Sequence, residues 1–215
     1  LAPAKLSGYE VCSMRTSECT ALCLNESGMN RMNMRDEMIN NSRIRKTKLF
    51  FEEKDFFMGW MISEIESARL KAEKLGYRFS IRLNNTSDLS PEQFHTVVDG
   101  KRKNILQIFS DSMFYDYSKV ANRSRLVEKY NNYDLTFSYS GENELDCIRM
   151  LDKGIRVAVV FRKTLPPTFW GRKVVDGDLY DMRYKDDGDV IIGLKYKVTR
   201  NKPDTNSKFV VTPSI

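Results

Sequence analysis

Apolar and polar positions alternate along this chain in a way that changes period several times. Phe57, Met61, Ile65, Ala68, Ala72 and Leu75 recur at steps of three and four, so they share one face and predict a long helix over 55–75. Asp55 suits its start and Gly76 its end. Before it, residues from about 5 to 11 read as a short strand ending at Cys12. After it, "RFSIRLNNTSDL" reads as a strand over 78–83 that runs into a polar turn, and Pro91 opens a further helix through about Phe109. The alternation then repeats. "MFYDY" is a strand and "NRSRLVEKY" a helix; "DLTFSYS" is a strand, "ENELDCIRMLDKG" a helix closed by Gly154, and "RVAVVF" a strand. An excursion over 164–189 holding Pro and Gly precedes the last apolar run, "VIIGLKYK", and a polar tail from about 199 is expected to drape over the outside.

Six strands with helices between most of them argue for the α/β class. The expected sheet is mainly parallel with right-handed crossovers, either doubly wound or curled into an open barrel. All 215 residues are assigned to one domain. In such a sheet the loops leaving the carboxyl ends of the strands open on one face, where working groups gather. On this reading the loop after Cys12, "NNTSD", "DYSK", "SYSG", "FRK" and "GLK" converge there.

Charge changes this picture little. Lys and Arg number 35 against 29 Asp and Glu, giving +6. An anionic partner such as a nucleotide or nucleic acid is therefore compatible but not required. The densest basic run, with Arg31, Arg35, Arg43, Arg45, Lys46 and Lys48, reads first as a solvated helix face, diluted by Asp36 and Glu37. No apolar run approaches the roughly 20 residues of a membrane span, and the opening residues lack the pattern of a secretion signal. A P-loop, a G-x-S-x-G elbow and a dinucleotide glycine fingerprint are all missing, and a single histidine argues against a Ser-His-Asp triad.

Cysteine changes it more. Cys12, Cys19 and Cys23 are spaced C-x6-C-x3-C within "CSMRTSECTALC", unlike the paired knuckles of structural zinc sites. A closed zinc site would need a fourth ligand. His95 stands at an expected helix start, and Cys147 lies among Leu145, Ile148 and Leu151 on an apolar stripe, where it reads as a small core residue. Disulfides are the least favoured use of so few thiols in a chain this long. Three thiolates without an obvious fourth are what a 4Fe-4S cluster with one exchangeable iron requires. Asp176, Gly177 and Asp178, followed by Asp181, also invite a magnesium reading, but Asp-Gly is a turn signal and "DDGD" at 186–189 repeats it, so a hairpin is preferred.

In strand count, in the position of the cysteine loop and in its three cysteines, the chain resembles the radical S-adenosylmethionine superfamily. Its spacing departs from that superfamily's common C-x3-C-x2-C. The resemblance implies a partial (β/α)6 open barrel, a cluster on Cys12, Cys19 and Cys23, and S-adenosylmethionine on its free iron. The superfamily's Gly-Gly-Glu turn, which holds the cofactor's amino group, is replaced by Asn84, Asn85, Thr86, Ser87 and Asp88, with Asp88 as the carboxylate. Ser138 and Lys195 fall where ribose or carboxylate would be met, and Tyr115, Asp116 and Arg82 near the pocket wall. Along nearly its whole length, in "CSMRTSECTALCLN", "IRLNNTSDL", "FYDYSKV", "LTFSYSGEN", "VAVVF" and "VVDGDLYDMRYKDDGDVIIGLK", the chain also resembles the bacteriophage gene product 88 family. That likeness implies a phage origin and the host cytoplasm as its setting, and supplies no activity. Three functions stay open: a phage radical enzyme; a binding protein held by zinc or an inert cluster that acts on nucleic acid or a host protein; and, ranked last, a magnesium-dependent nuclease built on Asp176, Asp178 and Asp181.

Overall fold

A computed structural model describes residues 1–23, 36–197 and 206–213. Among the described residues three helices come first: α1 (Ser17–Ala21), α2 (Asp36–Glu52) and α3 (Lys54–Lys74). A sheet follows, in the sequence order β1 (Ser80–Ile81), β4 (Met113–Ser118), β5 (Tyr133–Ser138), β6 (Val157–Phe161), β8 (Arg172–Asp176) and β9 (Ile191–Lys195), with short edge strands β7 (Thr168–Phe169) and β10 (Val210–Val211). The spatial order is β1-β4-β5-β6-β9-β8-β7, with β10 beside β6. Among the described residues every pairing in it is parallel except β7 with β8, and the two ends of the sheet do not meet, so no barrel closes.

Strand alternation divides the sheet into two chemically distinct faces. Phe114, Leu135, Phe137, Val157, Val159 and Phe161 pack with Phe57 and Ile65 of α3 and with Cys147, Met150 and Leu151 of a later helix, Glu144–Asp152. The intervening residues Ala158 and Ile192, with Tyr117, Val175 and Leu194, form a smaller apolar group on the other face. The chain leaving β8 must return to the start of β9, and it does so across this face: Tyr115 donates to Asp181 (3.1 Å), and Arg156 donates to the carbonyls of Asp186 and Asp187.

Several expectations need correction. Residues 5–11 form turns rather than a strand, because Ala4 and Gly8 take left-handed backbone angles (φ 50 and 93) and Val11 N–H bonds back to Ala4. Of the helix expected from Pro91 through about Phe109, two short pieces form, Pro91–Gln93 and Ile105–Ile108. Between them lies a hairpin of β2 (His95–Val98) and β3 (Lys101–Asn104), because β-branched Thr96, Val97 and Val98 lead into an Asp99-Gly100 turn with positive φ at both positions. The excursion over 164–189 holds a strand of the parallel sheet, β8, so Asp176–Asp178 is not a hairpin. The tail contributes β10, whose Val210 is buried against β6. Of the basic run, Arg31 and Arg35 lie outside the described residues. No helix among the described residues is long and apolar enough to cross a membrane.

Candidate functional site

At the carboxyl ends of the parallel strands lies a cavity of about 1050 Å³. Loops leaving β1, β4, β5, β8 and β9 contribute to it, and Cys12, Cys19 and Cys23 all line it.

Local bonds shape the cysteine loop. Glu10 accepts from the Cys12 N–H (2.9 Å) and pairs with Arg15 (3.0 Å), which also donates to Thr20. Thr16 caps α1 by accepting from Cys19 N–H (3.1 Å) and donates to the Ser140 carbonyl (3.0 Å), tying the loop to the end of β5. Two contacts fasten it to the turn after β1: Asp88 N–H donates to Val11 O (2.7 Å), and the Cys12 thiol donates to Thr86 O (3.7 Å). Burial pushes the Cys12 thiol up, the Ala4 backbone and Lys119 oppose this, and Asp88 and Cys23 add to it. None of the three cysteines is in a disulfide. Among the described residues, no three His, Cys, Asp or Glu side chains stand close enough to hold a metal ion. Cys147 is fully buried in the helix-side core, its thiol pushed up to about 12 by burial, and His95 is exposed on the hairpin, outside the cavity lining.

The turn after β1 is held from below. Asn84 is buried and does not line the cavity; its backbone and side-chain amides donate to Asp116, and its side-chain oxygen accepts from Ser87 and Leu89. Asp116 in turn meets Arg123 (2.9 Å), which also faces Glu92 (3.5 Å) and Asp88 (3.8 Å). Asn85, Thr86, Ser87 and Asp88 do line the cavity, but only Asn85 is exposed. Thr86 donates to the Leu1 carbonyl, and both Asp88 oxygens are taken, one by Ser118 Oγ (2.6 Å) and one by Lys119 N–H (2.8 Å). Asp88 therefore serves as a brace between turn and strand in this conformation.

Ser138 and Lys195 line the cavity, Lys195 reaching Asp176 (3.0 Å). Tyr115 does not; it is buried under Asp181, and burial raises its hydroxyl to about 12. Arg82 lines the wall and pairs with Asp181 (3.0 Å), whereas Asp116 is buried beneath the turn. The aspartates considered for magnesium are each committed: Asp176 to Lys195, Asp178 to Lys197 (3.3 Å) and Asp181 to Arg82. Lining residues that pattern reasoning passed over include Tyr180, Tyr196 and Phe209. Tyr180 falls in the excursion and Phe209 in the tail, where no local signal places them at the strand ends, whereas Tyr196 directly follows Lys195 at the end of the last apolar run.

A family model described as "Gene product 88" matches residues 1–212. The chain belongs to the gene product 88 family. No curated protein and no solved structure matches it. Membership in the gene product 88 family agrees with a bacteriophage gene product. Within this member the match takes in the cysteine loop, the turn after β1 and the ends of all the parallel strands.

Proposed function

We propose that this gene product 88 protein is an iron-sulfur enzyme of the radical S-adenosylmethionine type, working in the host cytoplasm. Cys12, Cys19 and Cys23 would hold a 4Fe-4S cluster, with S-adenosylmethionine in the cavity beside it. The observation that carries this reading is that three cysteines of one short loop, none in a disulfide, line one cavity at the carboxyl ends of a parallel sheet.

Three thiols lining one cavity supply the donor types that a 4Fe-4S cluster with one exchangeable iron takes. Sulfurs on a single zinc, each about 2.3 Å from it in a tetrahedron, would stand roughly 3.8 Å apart; no such cluster exists among the described residues. Cysteines of a cubane bind different irons and so stand farther apart than ligands of one ion. A bound cluster would supply the electron that cleaves S-adenosylmethionine. The protein's share is placement: the Asp88 brace and the Thr16 cap hold the loop, while Asn85, Ser138, Lys119 and Lys195 present polar and cationic groups suited to ribose and carboxylate oxygens. Burial favours the protonated Cys12 thiol, and a metal centre displaces that proton.

Purification without oxygen, with iron, sulfide and zinc assays, tests the reading. Brown protein with about four irons and four sulfides per chain is expected, lost in a Cys12→Ala/Cys19→Ala/Cys23→Ala variant that keeps its circular dichroism. Colourless protein after reconstitution, or stoichiometric zinc without iron, refutes it and favours the binding-protein alternative.

A further inference from the structure

We infer that the cavity takes a single-stranded nucleic acid. This names the substrate class for the site proposed above, and it rests on the cavity lining rather than on the cluster.

Two features of the lining converge. The first is charge. Among the described residues, seven lysines and arginines line the cavity against three aspartates. Asp178 and Asp181 are paired with Lys197 and Arg82, and Asp88 is spent on Ser118 and Lys119 N–H. Glu10 and Asp176, just outside, pair with Arg15 and Lys195. No ion pair among the described residues engages the side chains of Lys5 or Lys119, which come from separate loops. The ion pairs at Lys195 and Lys197 are exposed and weak, so an incoming phosphate can exchange into them.

The second feature is aromatic. Tyr117, Tyr139, Tyr180, Tyr196 and Phe209 line the same cavity, and none is fully buried. Tyr180, Tyr196 and Phe209 belong to neither hydrophobic core; Tyr180 is held by Arg183 over its ring (4.4 Å) and by Asp186 at its hydroxyl, which leaves Tyr196 and Phe209 as the two that neither core packing nor a cation over the ring accounts for among the described residues. The Tyr196 hydroxyl is buried with no hydrogen-bond partner among the described residues. Aromatic faces interleaved with unpaired lysines match a strand whose bases stack while its phosphates meet cations. A duplex hides its base faces and cannot use such a lining. A volume of about 1050 Å³ sits at the upper end of small-molecule pockets, leaving room for a base beside a cofactor.

The test measures fluorescence anisotropy of labelled single-stranded DNA and RNA of about 12 nucleotides, from about 50 to 200 mM salt. It is run on the wild type and on the triple Cys→Ala variant. Binding is expected to both proteins, with a log–log salt slope near about −2, as three neutralised phosphates give. Lys5→Ala/Lys119→Ala should flatten the slope to about −1 or less, and Phe209→Ala should weaken binding about five- to hundredfold. The DNA and RNA arms identify which strand is preferred. The inference is overturned if neither strand binds, if polyglutamate of equal charge competes equally well, or if duplex is preferred. Unchanged binding in both the double lysine variant and Phe209→Ala overturns it too. Brown, cluster-loaded protein that binds no strand sinks this inference alone; strand binding by protein that never takes up iron sinks the enzymatic reading alone.

Discussion

Truncating Arg123 to alanine should unfold the support beneath the candidate site. Its guanidinium is 3% exposed and lies against Asp116, itself 2% exposed, at 2.9 Å, with Glu92 at 3.5 Å and Asp88 at 3.8 Å. It also donates to the Tyr133 hydroxyl and the Leu89 carbonyl. Removing the cation leaves three carboxylates facing one another with little water to screen them. Breaking a buried pair from one side costs about 3–5 kcal/mol. In a chain of this size each kcal/mol moves the melting temperature by about 2–4 °C, so the expected loss is roughly 6–20 °C. Arg69→Ala, which removes exposed pairs with Glu66 and Asp111, is the control and should cost at most about 1 kcal/mol. Circular-dichroism melts at neutral pH read both. Because Asp88 braces the turn that accepts the Cys12 thiol, Arg123→Ala should also speed labelling of Cys12 by a thiol reagent at temperatures well below melting. Melting of Arg123→Ala within about 2 °C of wild type would refute this account of how the turn is held.

Two further outcomes follow from the same structure. Burial raises Asp116 to about 6, above its ordinary 3.8, despite the neighbouring Arg123. The native state therefore binds the extra proton between those values, so ionised Asp116 weakens the fold progressively from pH 4 to 6 and fully above. Denaturant titrations should show wild-type stability, minus that of Asp116→Asn, falling across this window and level beyond it; a flat or rising difference contradicts the sign. Gly188→Ala should destabilise by about 1–3 kcal/mol, since a methyl there would overlap the Gly154 carbonyl at the turn closing Glu144–Asp152, and backbone cannot swing aside. An unchanged denaturation midpoint would show that the return segment yields instead.

Much of the helix-side architecture was legible beforehand. The helix over 55–75 appears as Lys54–Lys74, and strands appear at "MFYDY", "DLTFSYS", "RVAVVF" and "VIIGLKYK". In each, burial on one or both faces writes a period or an apolar run into the sequence. Misreadings fell where backbone conformation or pairing partner decides. Residues 5–11 look like a strand in composition, yet Ala4 and Gly8 turn the chain back on itself. "RKVVD" looks like loop between Pro and Gly, yet β9 offers it a parallel edge.

The candidate site divides in the same way. Residue identity alone marked Cys12, Cys19 and Cys23 as soft donors, and placed Ser138, Lys195 and the polar turn 84–88 at strand ends, since strand order in sequence dictates which loops face together. Folding alone decided that Asn84 and Asp88 brace the turn through Asp116, Ser118 and Lys119, and that Tyr115 lies under Asp181. It likewise decided that Phe209 and Tyr180 arrive at the cavity from the tail and the return segment. Periodicity records which face a residue turns to the core; the partner that a polar side chain finds is set by three-dimensional closure between distant segments, and no local pattern encodes it.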